Sequence, residues 1–338
     1  MKKALQILAF AFLAGVSASG QDFAEQEMSV TANDGLSMGA TLTVPPTDRA
    51  PKAVIVLATG NGTQNRDEEI LGKKPFKTLA EYLSCRGYAV LRVDDRGFDR
   101  AEDAKNATMH TFADDVAAAV TRAAGLFPGI PVGIIGHSCG GSYAVINAAR
   151  NPGIGFIVTL AAPAWRGDSL IMSQTRAIAM QASGSWDAEP LQRQLMAIAR
   201  SEAGDVIAGV MLVQAISEHL GKAAELPQVR QQVAQQVEAI LTPWYRSMRR
   251  YDPADDITAV RVPWLALNGS RDMQVLPENL ATIRTLNPGA ETVLLDGHNH
   301  LFQQCRTGMP QEYASIAEDL SPQTLEQIVR WLDKTLRQ

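Results

Sequence analysis

Cysteine, aromatic residues and positive charge are all scarce in this sequence of 338 residues. Three cysteines are too few for a disulfide-bonded scaffold and too scattered for a structural zinc site. Aromatic residues make up 6% of the chain, and 31 Lys+Arg against 36 Asp+Glu give a formal net charge of −5. Without a basic excess or a supply of stacking side chains, the chain is not expected to bind nucleic acid.

Long apolar runs are missing as well, except at the beginning of the chain. Lys2 and Lys3 precede a nearly unbroken apolar stretch over 4–16, and small residues follow at 18–20. This arrangement is typical of a secretory signal peptide, so we interpret residues 1–20 as a removable leader and the mature protein as exported, periplasmic or secreted. An uncleaved membrane anchor is the alternative. No later stretch approaches ~18 apolar residues, so no stable membrane insertion is expected after cleavage.

Export would place the cysteines in a compartment where disulfides are permitted. Cys85, Cys139 and Cys305 are an odd number, so at least one stays unpaired within the chain. We expect mostly buried free thiols, the usual state of an isolated cysteine, and leave a Cys85–Cys305 bridge open.

The rest of the chain alternates strands with helices. Alternating segments at 25–33 and 36–44 flank an Asn-Asp-Gly turn, which predicts an antiparallel hairpin. Apolar runs then predict buried strands at 53–58, 88–93, 132–135, 156–160, 264–267 and 292–295. Because helical spacing separates these strands, the order predicts an α/β fold with a mostly parallel, doubly wound sheet.

One long segment carries no strand signal. Residues 171–250 are rich in Ala, Gln, Arg and Met with helical spacing, and we interpret them as a helical cap insertion rather than an independent domain. The catalytic domain then consists of 21–170 and 251–338.

A nucleophile motif follows the strand at 132–135. Residues 136–140 read Gly-His-Ser-Cys-Gly, which matches Gly-x-Ser-x-Gly. A buried strand enters the motif and a helix rich in small residues leaves it, as a nucleophile elbow requires. Side chains in place of the glycines would collide with the strand and the helix. Ser138 is therefore the predicted nucleophile, and the alternative is a glycine-rich turn that only packs.

A serine hydroxyl needs a base, and in this fold an acid and then a histidine follow the serine in the chain. His300 is the preferred base and His298 the alternative, because both follow the last strand at the sheet edge where ligands bind. Asp272 lies at the same edge and is predicted to orient the imidazole. Asp296 is a poorer candidate because it adjoins the histidine on the same strand end.

The oxyanion hole should consist of two backbone N–H groups. One is expected from Cys139, the residue after the nucleophile, and the other from the loop at 59–64. Asn61 is the preferred second donor and Gly62 the alternative. The loop lacks the third glycine and the Gly-Lys-Ser/Thr of phosphate-binding loops, and the chemistry requires no metal or organic cofactor.

Together these residues resemble the α/β-hydrolase superfamily, and within it bacterial serine esterases that are also often labelled serine aminopeptidase-like. The esterase loop Gly-Ser-Gly-Pro-x-Asp-Arg-Asp corresponds to residues 60–67, which read Gly-Asn-Gly-Thr-Gln-Asn-Arg-Asp. Four further family motifs match in order: Asp-Asp-Arg-Gly at 94–97, Gly-His-Ser-x-Gly-Gly at 136–141, Asn-Gly-x-x-Asp-x-x-Val at 268–275 and Asn-His-Leu-Phe-Gln at 299–303. The last match favours His300 over His298. The resemblance covers nearly the whole mature chain and is weakest in the insertion.

The chain departs from the family at a few positions that leave its substrate preference open. Cys139 stands where the elbow often has Glu, and Thr63 and Asn65 replace the Pro and first Asp of the loop. Residues 97–101 read Gly-Phe-Asp-Arg-Ala where Gly-x-Gly-x-Ser is usual. None of these changes removes a residue of the predicted triad.

The resemblance implies a carboxylic ester hydrolase that acts on a small-molecule ester through an acyl-enzyme. A thioesterase or a peptidase of the aminopeptidase-like kind would use the same triad, and a non-catalytic binding protein is the alternative of another class. An exopeptidase would also need a carboxylate for the substrate's amino group, for which the candidates are Glu189, Glu202, Asp205 and Glu218. The side chains that could line an acyl pocket in the insertion are Met172, Met180 and Trp186. The oligomeric state is left open.

Overall fold

The computed structural model describes residues 23–46, 50–201 and 204–337, so the predicted leader at 1–20 lies outside the described residues. Within these ranges, eight strands form one sheet: β1 (Ala24–Thr31), β2 (Ser37–Val44), β3 (Val54–Ala58), β4 (Ala89–Val93), β5 (Val132–His137), β6 (Phe156–Leu160), β7 (Trp264–Gly269) and β8 (Glu291–Leu295).

The sheet has the spatial order β1-β2-β4-β3-β5-β6-β7-β8. β1 pairs antiparallel with β2, β2 pairs antiparallel with β4, and every other neighbouring pair is parallel. This confirms the predicted mostly parallel sheet with an N-terminal antiparallel hairpin. The carboxyl ends of β3, β5 and β7 consequently meet at one edge, where the loops that carry the predicted site begin.

Helices connect the strands and cover both faces of the sheet. The described residues form α1 (Pro75–Ser84), α2 (Met109–Leu126), α3 (Cys139–Arg150), α4 (Gly167–Ser183), α5 (Glu189–Arg200), α6 (Asp205–Leu220), α7 (Pro227–Leu241), α8 (Pro243–Arg250), α9 (Ala254–Ala259), α10 (Glu278–Leu286) and α11 (Pro322–Thr335). Across the same ranges, none of the helices is both long and apolar enough to cross a bilayer.

Two apolar layers explain why the central strands read as unbroken hydrophobic runs. In β3, Val54 and Val56 belong to the layer shared with α2 and α3, whereas Ile55 and Leu57 belong to the layer shared with α1 and α11. All four side chains are at most 3% exposed. Because successive side chains point to opposite faces, a strand covered on both sides must be apolar throughout.

Six of the described helices, α4 to α9, lie between β6 and β7, in the part of the chain without strand signals. Apolar residues of α5, α6 and α7 form a cluster of their own, separate from the layers on the sheet. α8 attaches to the main body, where the Trp244 indole N–H donates to the Tyr143 hydroxyl at 3.0 Å. That 171–250 forms an insertion into a catalytic domain of 21–170 and 251–338 stays a prediction.

The cysteines do not all occupy the interior. Cys139 is buried and Cys305 half-buried, and both are free thiols, so a Cys85–Cys305 bridge is not present. Cys85 is exposed, and the expectation of a buried thiol is wrong there. It directly follows α1, where the chain turns at the surface before Gly87, which has a φ of 91°.

Candidate active site

The elbow at Ser138 has the backbone geometry that its motif predicts. Ser138 lies between β5 and α3 with φ 52° and ψ −120°, in a region that residues other than glycine rarely adopt. Such strain costs on the order of 1–3 kcal/mol and is held in place by the surrounding structure. A Cβ on Gly136 would lie 2.1 Å from the Gly140 carbonyl oxygen, and one on Gly140 would lie 2.0 Å from that of Ala58. The two glycines therefore allow the tight strand-to-helix passage that lifts the serine.

Asp272 and His300 form a buried acid–imidazole pair. The His300 Nδ1 atom lies 2.8 Å from Asp272 Oδ2, and the two residues are 4% and 2% exposed. The other carboxylate oxygen of Asp272 accepts the backbone N–H groups of Gln274 at 2.8 Å and Val275 at 2.9 Å. The carboxylate is thus fixed on both oxygens, which sets the plane of the imidazole and leaves Nε2 for another partner.

His300 lies next to the strand end that carries the serine. Its ring centroid is 4.7 Å from that of His137, the residue before Ser138. The His137 Nε2–H donates to the carbonyl oxygen of His300 at 2.9 Å. The fold therefore brings the three residues predicted as a triad to one edge of the sheet, and their catalytic roles stay predictions.

The alternative residues are engaged elsewhere. The His298 ring contacts the hydroxyl of Ser321 at 2.7 Å and the backbone oxygen of Asp296 at 2.8 Å, and its side chain is fully buried. The Asp296 carboxylate accepts the Ser270 hydroxyl at 3.0 Å. These contacts of His298 and Asp296 are with Ser321, Ser270 and the Asp296 backbone, and none of them involves the imidazole of His300.

The loop expected to supply the second oxyanion donor lies against the nucleophile. A Cβ on Gly60 would be only 3.3 Å from the Ser138 Cβ. The Gly60 N–H donates to Glu68 Oε1 at 2.7 Å and is therefore already used. Among the described residues, neither Asn61 nor Cys139 has a hydrogen-bond acceptor for its backbone N–H, so both donors remain available.

The Asp-Asp-Arg-Gly motif at 94–97 directly follows β4, and its two acids form hydrogen bonds with the oxyanion loop. The Asp95 carboxylate accepts the Thr59 hydroxyl at 2.7 Å and the Gln64 N–H at 2.9 Å. The Asp94 carboxylate accepts the Arg66 guanidinium through two contacts of 3.0 and 2.6 Å. This motif was recognised in the sequence, but it was assigned no role. Two acids directly after a strand, at the edge of the sheet where ligands bind, could have indicated that they hold a neighbouring loop.

Asp95 is expected to make the stability of the protein depend on pH. Burial raises the pKa of its carboxyl to about 8, against the opposing hydrogen bonds from Gln64 and Thr59. The unfolded chain releases this proton near 3.8, so between the two values the folded state holds more protons and the free energy of unfolding falls as pH rises. Asp95→Asn should remove this contribution, which is at most about 1.4 kcal/mol per pH unit.

Urea unfolding at pH 5 and pH 7.5 measures the effect. The difference in free energy of unfolding between wild type and Asp95→Asn should change sharply between the two pH values. A variant of the exposed neighbour, Asp99→Asn, should have the same free energy of unfolding as wild type at both. A constant difference would show that Asp95 does not hold a proton in this range.

Three of the four candidate acids of the predicted cap contact other side chains. The contacts that use them are Glu189 with Arg193 at 2.5 Å, Asp205 with Arg246 at 2.7 Å, and Glu218 with Gln214 at 2.8 Å. Glu202 lies outside the described residues.

Of the three side chains predicted to line an acyl pocket, Met172 and Trp186 are half-buried, and Met180 is 45% exposed. In the described part of the chain, no three His, Cys, Asp or Glu side chains converge as a metal site would need.

Known proteins resemble this chain, some over most of its length and others over a part of it. Residues 49–283 match the family model described as serine aminopeptidase, S33. Esterase EstD of Thermotoga maritima is 26% identical over 314 residues, which cover 91% of this chain and 68% of that protein. Human monoglyceride lipase is 31% identical over 105 residues, which cover 30% of this chain and 32% of the lipase.

Solved structures extend the likeness to the fold. An esterase from Pyrococcus furiosus superposes with a TM-score of 0.56 at 14% identity and covers 95% of both chains. A proline iminopeptidase from Mycobacterium smegmatis superposes with a TM-score of 0.55 at 18% identity and covers 92% of this chain and 99% of its own. Together with the sheet order, these likenesses confirm the α/β-hydrolase fold. Since the family model spans well over half of the sequence, the chain belongs to the serine aminopeptidase (S33) family of hydrolases.

Proposed function

We propose that the protein hydrolyses carboxylic esters of small molecules through a covalent acyl-enzyme on Ser138. The observation that carries this proposal is the buried His300–Asp272 pair beside a serine held at φ 52°. The likeness to esterase EstD over 91% of the chain supports the same chemistry. A nucleophile, a base and an acid that orients the base are the parts that acyl transfer requires.

In the first half of the reaction, the Ser138 hydroxyl attacks the ester carbonyl carbon while Nε2 of His300 takes its proton. The carbonyl oxygen becomes an oxyanion, which accepts the N–H groups of Cys139 and Asn61. Each such donor stabilises the transition state by roughly 2.7–4 kcal/mol. Asp272 keeps the proton of His300 on Nδ1, so that Nε2 is free to act as a base, and stabilises the imidazolium that forms.

In the second half, the tetrahedral species collapses, and His300 returns its proton to the departing alcohol. The acyl group is then bonded to the Ser138 oxygen. A water molecule gives its proton to His300 and attacks the acyl carbon, and the same two N–H groups hold the second oxyanion. Release of the carboxylic acid restores the free serine.

The contacts of the candidate acids in the predicted cap favour ester cleavage over removal of an N-terminal amino acid. A peptidase of that kind needs a carboxylate for the substrate's ammonium group. Glu189, Asp205 and Glu218 contact other side chains of the helices between β6 and β7. With these three of the four candidate acids engaged, and Glu202 outside the described residues, an uncharged acyl group is the better match to the described part of the site.

Matched substrates test the choice of bond. We expect wild type to cleave p-nitrophenyl butyrate with a higher kcat/KM than either butyryl-p-nitroanilide or an aminoacyl p-nitroanilide with a free amino group. Labelling of the protein by a fluorophosphonate probe would establish the activated serine independently. Preferential turnover of the aminoacyl substrate would replace the ester assignment with a peptidase, and failure to label would favour a binding protein.

A further inference from the structure

A second buried acid–imidazole pair lies beside the predicted triad. Glu68 and His137 are 1% and 5% exposed, and the His137 Nδ1 atom lies 2.8 Å from Glu68 Oε1. Neither residue belongs to the triad or to the predicted oxyanion hole. A buried carboxylate and a buried imidazole are costly to keep in the interior unless they are paired, so their placement calls for a role.

The pair connects the two loops that surround the nucleophile. The Glu68 Oε1 atom also accepts the Gly60 N–H at 2.7 Å, at the beginning of the oxyanion loop. On the other side, the His137 Nε2–H donates to the His300 carbonyl oxygen at 2.9 Å, in the loop that carries the base. A continuous hydrogen-bonded path therefore runs from the oxyanion loop through both side chains to the histidine loop.

The backbone at Glu68 adopts a strained conformation, which the surrounding structure holds in place. Glu68 has a φ of 52°, a conformation that costs energy for a residue with a side chain. The strain places the carboxylate against Gly60, where a Cβ on that glycine would lie 3.1 Å from Glu68 Oε1 and 3.3 Å from Ser138 Cβ. Gly60 is thus confined between the buried carboxylate and the nucleophile.

The partners of His137 require a proton on each ring nitrogen. The His300 carbonyl oxygen can only accept, so Nε2 carries a proton. An ionised Glu68 can also only accept, so Nδ1 carries one as well. Burial alone lowers the pKa of His137, but the charge and hydrogen bond of Glu68, together with the His300 carbonyl, outweigh it and raise that pKa above 6.5.

We propose that Glu68 and His137 are positioning residues that hold the oxyanion loop and the base loop around Ser138, and that this tie holds only while His137 carries both ring protons. The inference rests on the proposed ester hydrolysis. Apart from Glu68, the ionisable groups near the His137 ring are His300 at 4.7 Å between ring centroids and Asp272, whose negative charge also favours the protonated form. The neighbouring Phe302 presents a ring at an angle of 75° and carries no charge.

The hydrogen-bonded connection through His137 should be lost at high pH. Since the pKa of His137 is raised in the folded state, the contact is intact below its ordinary value of 6.5 and is lost as pH rises through the raised value. The Glu68 carboxylate keeps the proton on Nδ1, so the proton that leaves is the one on Nε2, and its loss would set a lone pair against the His300 carbonyl oxygen and release the base loop. The imidazole of His300 would then be misplaced relative to Ser138, which lowers kcat and leaves KM little changed.

Steady-state kinetics of a p-nitrophenyl ester between pH 5 and pH 10 test this in four variants. His137→Asn keeps a donor on the Nδ1 side, His137→Gln keeps one on the Nε2 side, and Glu68→Gln removes the charge with little change of shape. In these three, kcat should fall by up to about 100-fold with KM little changed, because small misplacements of reacting groups are costly. The alkaline fall in kcat attributed to His137 should disappear, and the exposed His110→Asn should behave as wild type.

Asp95 also titrates on the alkaline side, so the same profile is recorded in Asp95→Asn. The fall caused by His137 should persist there. Nitrogen-15 NMR of histidine-labelled wild-type protein at pH 6, below the ordinary pKa of 6.5, gives an answer that does not depend on any variant folding. It should show one buried imidazolium with two ring N–H groups, and a singly protonated His137 would overturn the inference.

The outcomes separate this inference from the proposed function. If wild type fails to hydrolyse the ester, the proposed function fails. If wild type hydrolyses the ester while folded Glu68→Gln and His137 variants keep its kcat and its alkaline fall, only the positioning role fails.

Discussion

Ser138→Ala is expected to lose about 10⁶-fold in kcat for ester hydrolysis, close to the effect of removing a complete catalytic triad. The hydroxyl that forms the acyl-enzyme is the atom removed, and the neighbouring thiol of Cys139 cannot replace it. Burial raises the pKa of that thiol to about 12, so a thiolate is absent at neutral pH. The residual rate above water would come from substrate binding and the oxyanion donors, which the substitution leaves in place.

Rates of p-nitrophenyl ester hydrolysis and fluorophosphonate labelling measure this loss. Ser142→Ala is the control, because Ser142 lies four residues further along the chain, within α3, and its buried side chain has no part in the predicted triad. Both variants should unfold at temperatures close to wild type. Equal rates for wild type and Ser138→Ala would remove Ser138 from the mechanism.

Asp272→Asn should lower kcat by about 10⁴-fold while leaving the fold intact. Asp272 Oδ1 accepts the N–H groups of Gln274 and Val275, so the amide oxygen of an asparagine must stay on that side. The amide N–H₂ would then face Nδ1 of His300 and donate to it. The imidazole would keep its proton on Nε2, which is the nitrogen that has to receive the proton of Ser138.

The expected loss is in kcat, with KM changed little, and it is measured with the same ester. Asp296→Asn is the control, because its carboxylate follows the adjacent strand and accepts only the Ser270 hydroxyl among the described contacts. If Asp296→Asn lost activity and Asp272→Asn kept it, the orienting acid would have to be reassigned.

Much of the fold follows from local patterns in the sequence. The strands β3, β5 and β6 are buried at every position and mostly apolar, because helices cover both faces of the sheet. The Asn-Asp-Gly turn fixes the hairpin because Gly35 has a φ of 88°. The placement of Ser138, Asp272 and His300 was also predictable, since each follows a strand whose end lies at the same edge of a parallel sheet.

Contacts that depend on loop conformation were not predictable in the same way. His137 was placed in the motif, but its contact with Glu68 joins residues 69 positions apart. That contact needs the register of β5 against β3 and a left-handed backbone at Glu68, and no local pattern signals either of them. The raised pKa of Asp95 likewise arises from burial under the oxyanion loop, which only the assembled structure contains.

The first turn of α3 contains no acidic residue. A helix carries a partial positive charge at its N-terminus, and an acid at Cys139 would neutralise part of that charge. The buried thiol remains uncharged, with a pKa of about 12. The helix dipole at the nucleophile is therefore left uncompensated in the resting protein, and its field is available to the negative charge that appears only when a substrate carbonyl is attacked.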